Sequence, residues 1–126
     1  MEFPKPLMSY EEALKEVDGL ADKLGHKIEE KINPLVAALR MYGIVTSASC
    51  QGHGGCGLRY PWIDVEMESI PLASRVVCAA NSARHWWVFE PRPTFMRLHP
   101  GNIRVKLSRM QHQALVFAER IRKLND

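Results

Sequence analysis

The sequence predicts an α+β fold of two layers, in which an antiparallel or mixed sheet of about four to five strands carries helices on one face. Three observations predict it. Apolar residues recur at steps of three and four near both ends of the chain, as in amphipathic helices. Residues 62–67 alternate between apolar and polar, as in a half-buried strand. Several predicted strands follow one another through short turns, which favours antiparallel pairing. The 126 residues, 46% of them hydrophobic, fit one domain spanning 1–126.

The N-terminal segment predicts an irregular arm followed by a helix. Residues 1–8 form the arm, because Pro4 and Pro6 block regular structure. Ser9 and Glu12 have the spacing of a capping box, so a helix begins there. Its apolar stripe consists of Leu14, Val17, Ala21, Leu24, Ile28 and Ile32.

A second helix and the first strand follow. Asn33 can cap a helix that has Pro34 at its first position, which predicts a helix at about 34–42. Gly43 is a natural stop for that helix. The β-branched residues that come next predict a strand over 44–49.

The C-terminal half predicts a helix at about 71–83, three strands and a final helix. The strands are 86–89, 95–98 and 103–107, the last two joined by the turn sequence 99–102. Ser108 and Gln111 repeat the capping-box spacing. The final helix then carries an apolar stripe of Met110, Ala114, Phe117, Ile121 and Leu124.

Composition and charge exclude several classes of protein. No run of 18 apolar residues exists, which excludes a transmembrane helix, and the N-terminus lacks the pattern of a secretory signal. Three cysteines are too few for a disulfide framework, so we expect a reducing, cytoplasmic location. Residues 85–126 hold eight basic and three acidic side chains. This basic third predicts either contact with nucleic acid or a solvated face that the acidic first helix balances.

The loop that follows the first strand has the most unusual composition in the sequence. Residues 49–57 hold two cysteines, one histidine and four glycines. Cys50, His53 and Cys56 have C-x2-H-x2-C spacing, and thiolates and imidazole are ligands of zinc. These three residues are therefore candidate metal ligands. A fourth ligand would be water or one of the more distant side chains His85, His99, Cys78 and Asp64.

Two other functions and a structural role compete with a metal site. Glycine backbones can turn their N–H groups towards an anion, which predicts a ligand site formed by Cys50, Gln51, Gly52 and His53 with help from Arg59. Alternatively, Cys50 is a catalytic nucleophile activated by His53. The structural alternative has Cys50 packed under the sheet and the loop acting only as a turn. Cys78 is expected in the core, on the apolar side of its helix.

Polar and aromatic residues predict a second surface on the sheet. Trp62, Asp64 and Glu66 share one strand face, as do Phe95, Arg97 and His99 on another strand, and Arg104 with Lys106 on the last. Coinciding faces would border the Cys-His loop and could stack bases, hold a charged ligand or form a homodimer interface. One of the neighbours Trp86 and Trp87 is expected in the core and the other at an interface.

The loop and its flanks resemble a known pattern. The sequence Ser49-Cys50-Gln51-Gly52-His53, with the strand before it and Tyr60–Val65 after it, resembles small uncharacterised bacterial and phage proteins that have an S-C-x-G-H turn. That resemblance covers about residues 34–67. A more distant similarity is to the wybutosine-synthesising tRNA methyltransferases, which have an S-C-x-G-R turn; Ser49, Cys50 and Gly52 match, and His53 replaces the arginine. The resemblance implies that the turn binds a ligand.

The expected function is therefore a small binding protein or enzyme with its site at Cys50–His53, holding a metal, with zinc as the candidate, or an anionic ligand. A nucleic-acid-associated or RNA-modifying protein and a non-catalytic interaction module are the alternatives.

Overall fold

The structure, a computed structural model, describes residues 2–20, 25–54 and 58–126 and confirms the α+β prediction. Four helices accompany one open, four-stranded antiparallel sheet. A short 3-10 turn, Met67–Ser69, leads into the third helix. The elements in chain order are α1 (Tyr10–Asp18), α2 (Asn33–Met41), β1 (Thr46–Cys50), β2 (Trp62–Glu66), α3 (Ile70–Ala80), β3 (Trp87–Pro91), β4 (Phe95–Pro100) and α4 (Leu107–Arg122).

The sheet has the strand order β1-β2-β4-β3 and two very different faces. Ile63 lies opposite Leu98 in the register, and the next residues pair Asp64 with Arg97. Because neighbouring strands align residues of one face, the apolar side chains collect on the helix side. Ile63, Leu98 and Trp87 are at most 2% exposed there. The Trp87 ring stacks on Phe117 of α4 at 5.5 Å between ring centres, which joins the two layers.

Helix α2 is the centre of the helical layer. Its residues 35–39 are completely buried, and it packs against both α1 and α4. Tyr42, just after α2, accepts a hydrogen bond from the Asn125 side chain at 2.9 Å and donates to the Ile121 carbonyl at 3.5 Å. These contacts fix the chain end against α2. Strand β1 begins only a few residues after α2, so the position of α2 also determines where β1 starts.

The capping box of α1 forms as predicted, but the helix is shorter than its apolar stripe. The Glu12 N–H donates to Ser9 Oγ, and the Ser9 N–H donates to the Glu12 carboxylate. The helix ends at Asp18, where the Gly19 N–H donates to the last carbonyls. Residues 21–24 lie outside the described part of the chain. Residues 25–32 contain no helix, and the predicted single helix reaching Ile32 is therefore wrong.

The predicted hairpin between strands 95–98 and 103–107 does not form. Strand β4 continues to Pro100 and lies between β2 and β3, so both of its edges already hold hydrogen bonds. A further strand has no free edge to pair with on β4. Residues 102–106 are irregular instead, and α4 begins at Leu107. The prediction that Arg104 and Lys106 belong to a sheet face is therefore wrong.

Two local predictions in the C-terminal half are also corrected. Ser108 does not cap α4, which has no side-chain cap, and Gln111 instead contacts the Cys-His loop. Cys78 is exposed rather than in the core. The buried face of α3 consists of Ala73, Val76, Val77 and Ala80. A residue one position beyond Val77 is turned by about 100° from that side chain, which moves Cys78 off the buried face.

The prediction that one of the paired tryptophans lies in the core is confirmed, and an interface role for the other stays a prediction. Trp87 is in the core with 2% of its surface exposed, whereas Trp86 is 40% exposed. Across the described residues, none of the helices has the length and apolar character needed to cross a bilayer.

Candidate functional site

Three side chains from separate segments converge at the end of β1. Cys50 is the last residue of β1, His53 lies three residues later in the loop, and Glu29 comes from the turn before α2. The Cys50 Sγ, a ring nitrogen of His53 and a carboxylate oxygen of Glu29 all lie within 4.8 Å of one another. The predicted pair Cys50 and His53 is therefore brought together. Glu29 was missed, because no local motif connects it with residues 21 positions further along the chain.

Glu29 also fastens the loop. The Gln51 N–H donates to Glu29 Oε1 at 2.9 Å, while Glu29 Oε2 lies 3.5 Å from His53 Nε2. The Gln51 side chain accepts from the Lys31 N–H at 3.0 Å, and the Gln51 carbonyl accepts from the Gln111 side chain of α4 at 3.0 Å. Gln51 thus holds the loop by three hydrogen bonds, two to the segment 29–31 and one to α4.

Gly52 allows the loop to adopt its backbone conformation. Its φ of +89° lies in the left-handed region that glycine enters without a steric penalty. A Cβ at this position would lie 2.6 Å from Leu107 Cδ1 and 3.0 Å from the Tyr60 carbonyl carbon. The backbone therefore passes close to its neighbours where only glycine fits.

Three consecutive backbone N–H groups at the start of the loop are occupied by groups of the protein. The Gln51 N–H binds Glu29, the Gly52 N–H donates to Cys50 Sγ at 3.3 Å, and the His53 N–H donates to the Leu58 carbonyl at 3.1 Å. The carboxylate bound by this backbone is therefore the chain's own Glu29.

The Cys50 thiol is held in its protonated form. Burial raises its pKa, and the hydrogen bond from the Gly52 N–H opposes this. The charge of Glu29 and its hydrogen bond with the thiol raise the pKa further, whereas the positive charge of Arg97 lowers it. The net shift is upward. At neutral pH the thiol therefore keeps its proton in the absence of a bound cation.

A cavity of about 470 Å³ opens beside the cluster. Glu29, Cys50 and His53 form part of its wall. The hydroxyl-bearing residues Ser47 and Ser49 and the Trp62 ring also line it. The cluster is therefore in contact with a space large enough for a small molecule.

The predicted polar and aromatic face of the sheet exists and borders this cavity. The register places Glu66 opposite Phe95 and Asp64 opposite Arg97, so the two strand faces coincide. The Arg97 guanidinium forms two hydrogen bonds to the buried Asp64 carboxylate, at 2.7 and 3.1 Å. Arg97 also lies 3.9 Å from the centre of the Trp62 ring. That contact occupies a face of the ring on which a base would otherwise stack.

Several basic residues of the C-terminal third pair with acids of the same chain. Besides Arg97, Arg92 contacts Glu90 at 2.9 Å, and Lys123 contacts Glu119 at 2.9 Å. These pairs reduce the positive field that the composition suggests.

The remaining predicted site residues lie elsewhere. Arg59 is exposed and does not line the cavity. Cys56 falls outside the described residues. None of the four distant candidate ligands joins the cluster: Asp64 binds Arg97, His99 lies against Tyr60 and Glu90, Cys78 is on α3, and His85 lines a different cavity.

Comparisons with protein-family models, with curated proteins and with solved structures give no match. The function of the protein is therefore inferred from the geometry of its site.

Proposed function

We propose that the protein binds a divalent zinc-class metal ion through Glu29, Cys50 and His53. The observation that carries this proposal is the convergence of a carboxylate, a thiol and an imidazole within 4.8 Å. These are the three side-chain types that zinc accepts. Ligand atoms around a tetrahedral zinc are separated by about 3.3 to 3.8 Å, given metal–ligand distances near 2.0 to 2.3 Å. The 3.5 Å between His53 Nε2 and Glu29 Oε2 falls in this range.

The charge of the site supports a cation over an anion. The Glu29 carboxylate lies within 4.8 Å of the thiol and the imidazole, while Lys27 contributes to the wall of the adjoining cavity. The loop N–H groups of Gln51, Gly52 and His53 already have acceptors. An anion at this position would meet a like charge and would find none of these three donors free. A cation would neutralise Glu29 and draw electron density from the thiol.

The state of Cys50 supports metal binding over nucleophilic catalysis. A catalytic cysteine needs a lowered thiol pKa, and here the pKa of Cys50 is raised by burial and by Glu29. A metal ion removes this obstacle because it displaces the thiol proton on binding. A thiolate ligand of this kind needs a reducing environment, and we therefore infer a cytoplasmic location.

Three ligands leave one position of a tetrahedral metal to be filled. Because the cluster lines a cavity, we favour an open position that water or a small ligand occupies, as in catalytic zinc sites. Cys56 is the other candidate, and with it the site would be closed and structural. A Cys56→Ser variant separates the two, since only the closed site would lose its zinc.

The proposal is tested by the metal content of protein purified without a histidine tag under reducing conditions. We expect about one zinc per chain, competed away by a chelator, and loss of that zinc in Cys50→Ser and His53→Gln. Matched controls are Cys78→Ser and His112→Gln, which change the same residue types at exposed positions outside the cluster. Absence of stoichiometric zinc after incubation with excess zinc would refute the metal site.

A further inference from the structure

A second cavity, separate from the metal cluster, has the features of an anion site. It has a volume of about 240 Å³ and lies between the loop before β3 and the first turns of α4. We propose that it binds the phosphate group of a small phosphate monoester. It shares no lining residue with the cavity beside Cys50, and the proposal is independent of the metal site.

The lining of this cavity is cationic. Two guanidinium groups, Arg84 and Arg109, contribute to its wall, with the amides Asn102 and Gln113 beside them. No aspartate or glutamate occurs among the lining residues that the structure describes. Arginine presents several N–H donors in a planar fork that matches phosphate oxygens. The donors and the charge therefore suit a dianion.

His85 belongs to the same lining and carries an unpartnered ring nitrogen. Its Nδ1 is buried and has no hydrogen-bond partner among the described residues. The backbone N–H and carbonyl of His85 are both hydrogen-bonded. The N–H donates to Ser82 Oγ at 3.2 Å, and the carbonyl accepts from the Ser82 N–H at 3.0 Å. A buried polar atom without a partner is costly, and native structures seldom leave one. This nitrogen has almost no accessible surface, so a ligand in the cavity would reach it only if the ring turned.

The neighbouring backbone supports the same ligand. Arg109 and Gln113 are four residues apart and so lie on one side of α4. The first turn of α4 has neither a side-chain cap nor an acidic residue, so the positive end of the helix is not neutralised locally. Asn102 uses its Oδ1 to accept from the Arg104 N–H at 3.1 Å, which leaves its NH₂ group as a donor.

Trp86 explains why the ligand would be an ester rather than free phosphate. Its indole lines the cavity, packs over Gly101 and is 40% exposed. An exposed aromatic ring next to cationic donors provides an apolar surface for the organic part of a ligand. At about 240 Å³ the cavity is smaller than typical ligand pockets, which limits the organic part of the ligand to a small group.

The test is a calorimetric titration of the full chain with inorganic phosphate and with phenyl phosphate, at low ionic strength and with a chelator present. We expect saturable binding, tighter for phenyl phosphate, and about tenfold weaker binding in Arg84→Gln and in Arg109→Gln. Arg104→Gln is the matched control, because Arg104 is exposed in the same segment and does not line the cavity. Cys50→Ser should bind phosphate as the unchanged protein does.

Folding is checked by thermal unfolding of each variant. Phosphate should raise the melting temperature of the unchanged protein and of Arg104→Gln more than that of Arg84→Gln or Arg109→Gln. Three results would overturn the proposal: no saturable binding at millimolar phosphate, equal weakening by Arg104→Gln, or binding of single-stranded RNA that phosphate does not displace. The last two would indicate an open basic surface instead of a pocket.

Discussion

The backbone N–H of Gln51 donates to the carboxylate of Glu29 over 2.9 Å, joining two residues 22 positions apart in the chain. The other oxygen of the same carboxylate lies 3.5 Å from His53 Nε2. Glu29 therefore fixes the loop and also places a carboxylate oxygen in the cluster that we propose binds zinc. A site fixed in this way needs little rearrangement when a cation binds, which favours affinity.

The first prediction concerns the charge of Glu29. In Glu29→Gln the amide oxygen can still accept from the Gln51 N–H, but the negative charge is lost. We expect zinc affinity to fall by about tenfold or more, with the fold unchanged. Glu30→Gln is the control, because Glu30 is an exposed acid outside the cluster. A competition titration with a zinc chelator measures the difference, and equal affinities of the two variants would contradict the role of Glu29.

The second prediction concerns pH. Because the pKa of Cys50 is raised, its thiolate fraction at neutral pH is lower than that of an ordinary thiol. Zinc must displace this proton, so affinity should rise by about tenfold per pH unit below the thiol pKa and should be lost on acidification. Alkylation rates followed by peptide mass spectrometry test the same shift.

We expect the alkylation rate of Cys50 to increase with pH later than that of exposed Cys78. Added zinc should suppress alkylation of Cys50 and leave Cys78 reactive. Reaction of Cys50 at a lower pH than Cys78 would show an activated thiol and would favour nucleophilic catalysis.

The third prediction uses two glycines of the same loop. Gly52→Ala places a Cβ against Leu107 and the Tyr60 carbonyl at a positive φ, and should lower the free energy of unfolding by about 2 kcal/mol or more. Gly54→Ala meets no described atom within 4 Å and should change it by less than about 0.5 kcal/mol. Chemical denaturation measures both. Equal effects would show that the loop relaxes away from this path.

The fourth prediction concerns the ion pair on the outer face of the sheet. Asp64→Ala leaves the Arg97 guanidinium without its carboxylate in a largely buried position, and we expect a loss of about 3 kcal/mol in the free energy of unfolding. The double variant Asp64→Leu, Arg97→Met should recover most of it. Glu119→Ala, which removes exposed pairs with Lys123 and Arg122, should lower the free energy of unfolding far less than Asp64→Ala does. If the double variant is as unstable as Asp64→Ala, the loss of stability does not come from the unpaired Arg97 guanidinium.

The sequence was sufficient where local signals act alone. The capping box at Ser9 and the alternation of 62–67 depend on neighbouring residues, and both are found in the structure. Cys50 and His53 could be paired because they lie three positions apart in one loop. Glu29 could not be found in this way, since its contact with the loop exists only after α2 and β1 have packed.

The predicted hairpin after β4 shows the opposite case. Residues 103–107 have the composition of a strand, and 99–102 have that of a turn. A strand also needs a partner strand, and both edges of β4 are already hydrogen-bonded, one to β2 and the other to β3. Tertiary pairing therefore overrides local propensity at this point.

The two outermost strands of the sheet have a consequence for aggregation. Strand β3 ends at Pro91, and Pro93 follows two residues later, so the end of this border lacks two of the N–H donors that an incoming strand could use. At the opposite border, the pairing of β1 with β2 shifts register between Thr46 and Ala48, which interrupts a regular ladder. Proline and irregular register are both features by which proteins prevent edge-to-edge growth. Both features make the addition of a strand from another molecule less favourable at these two borders.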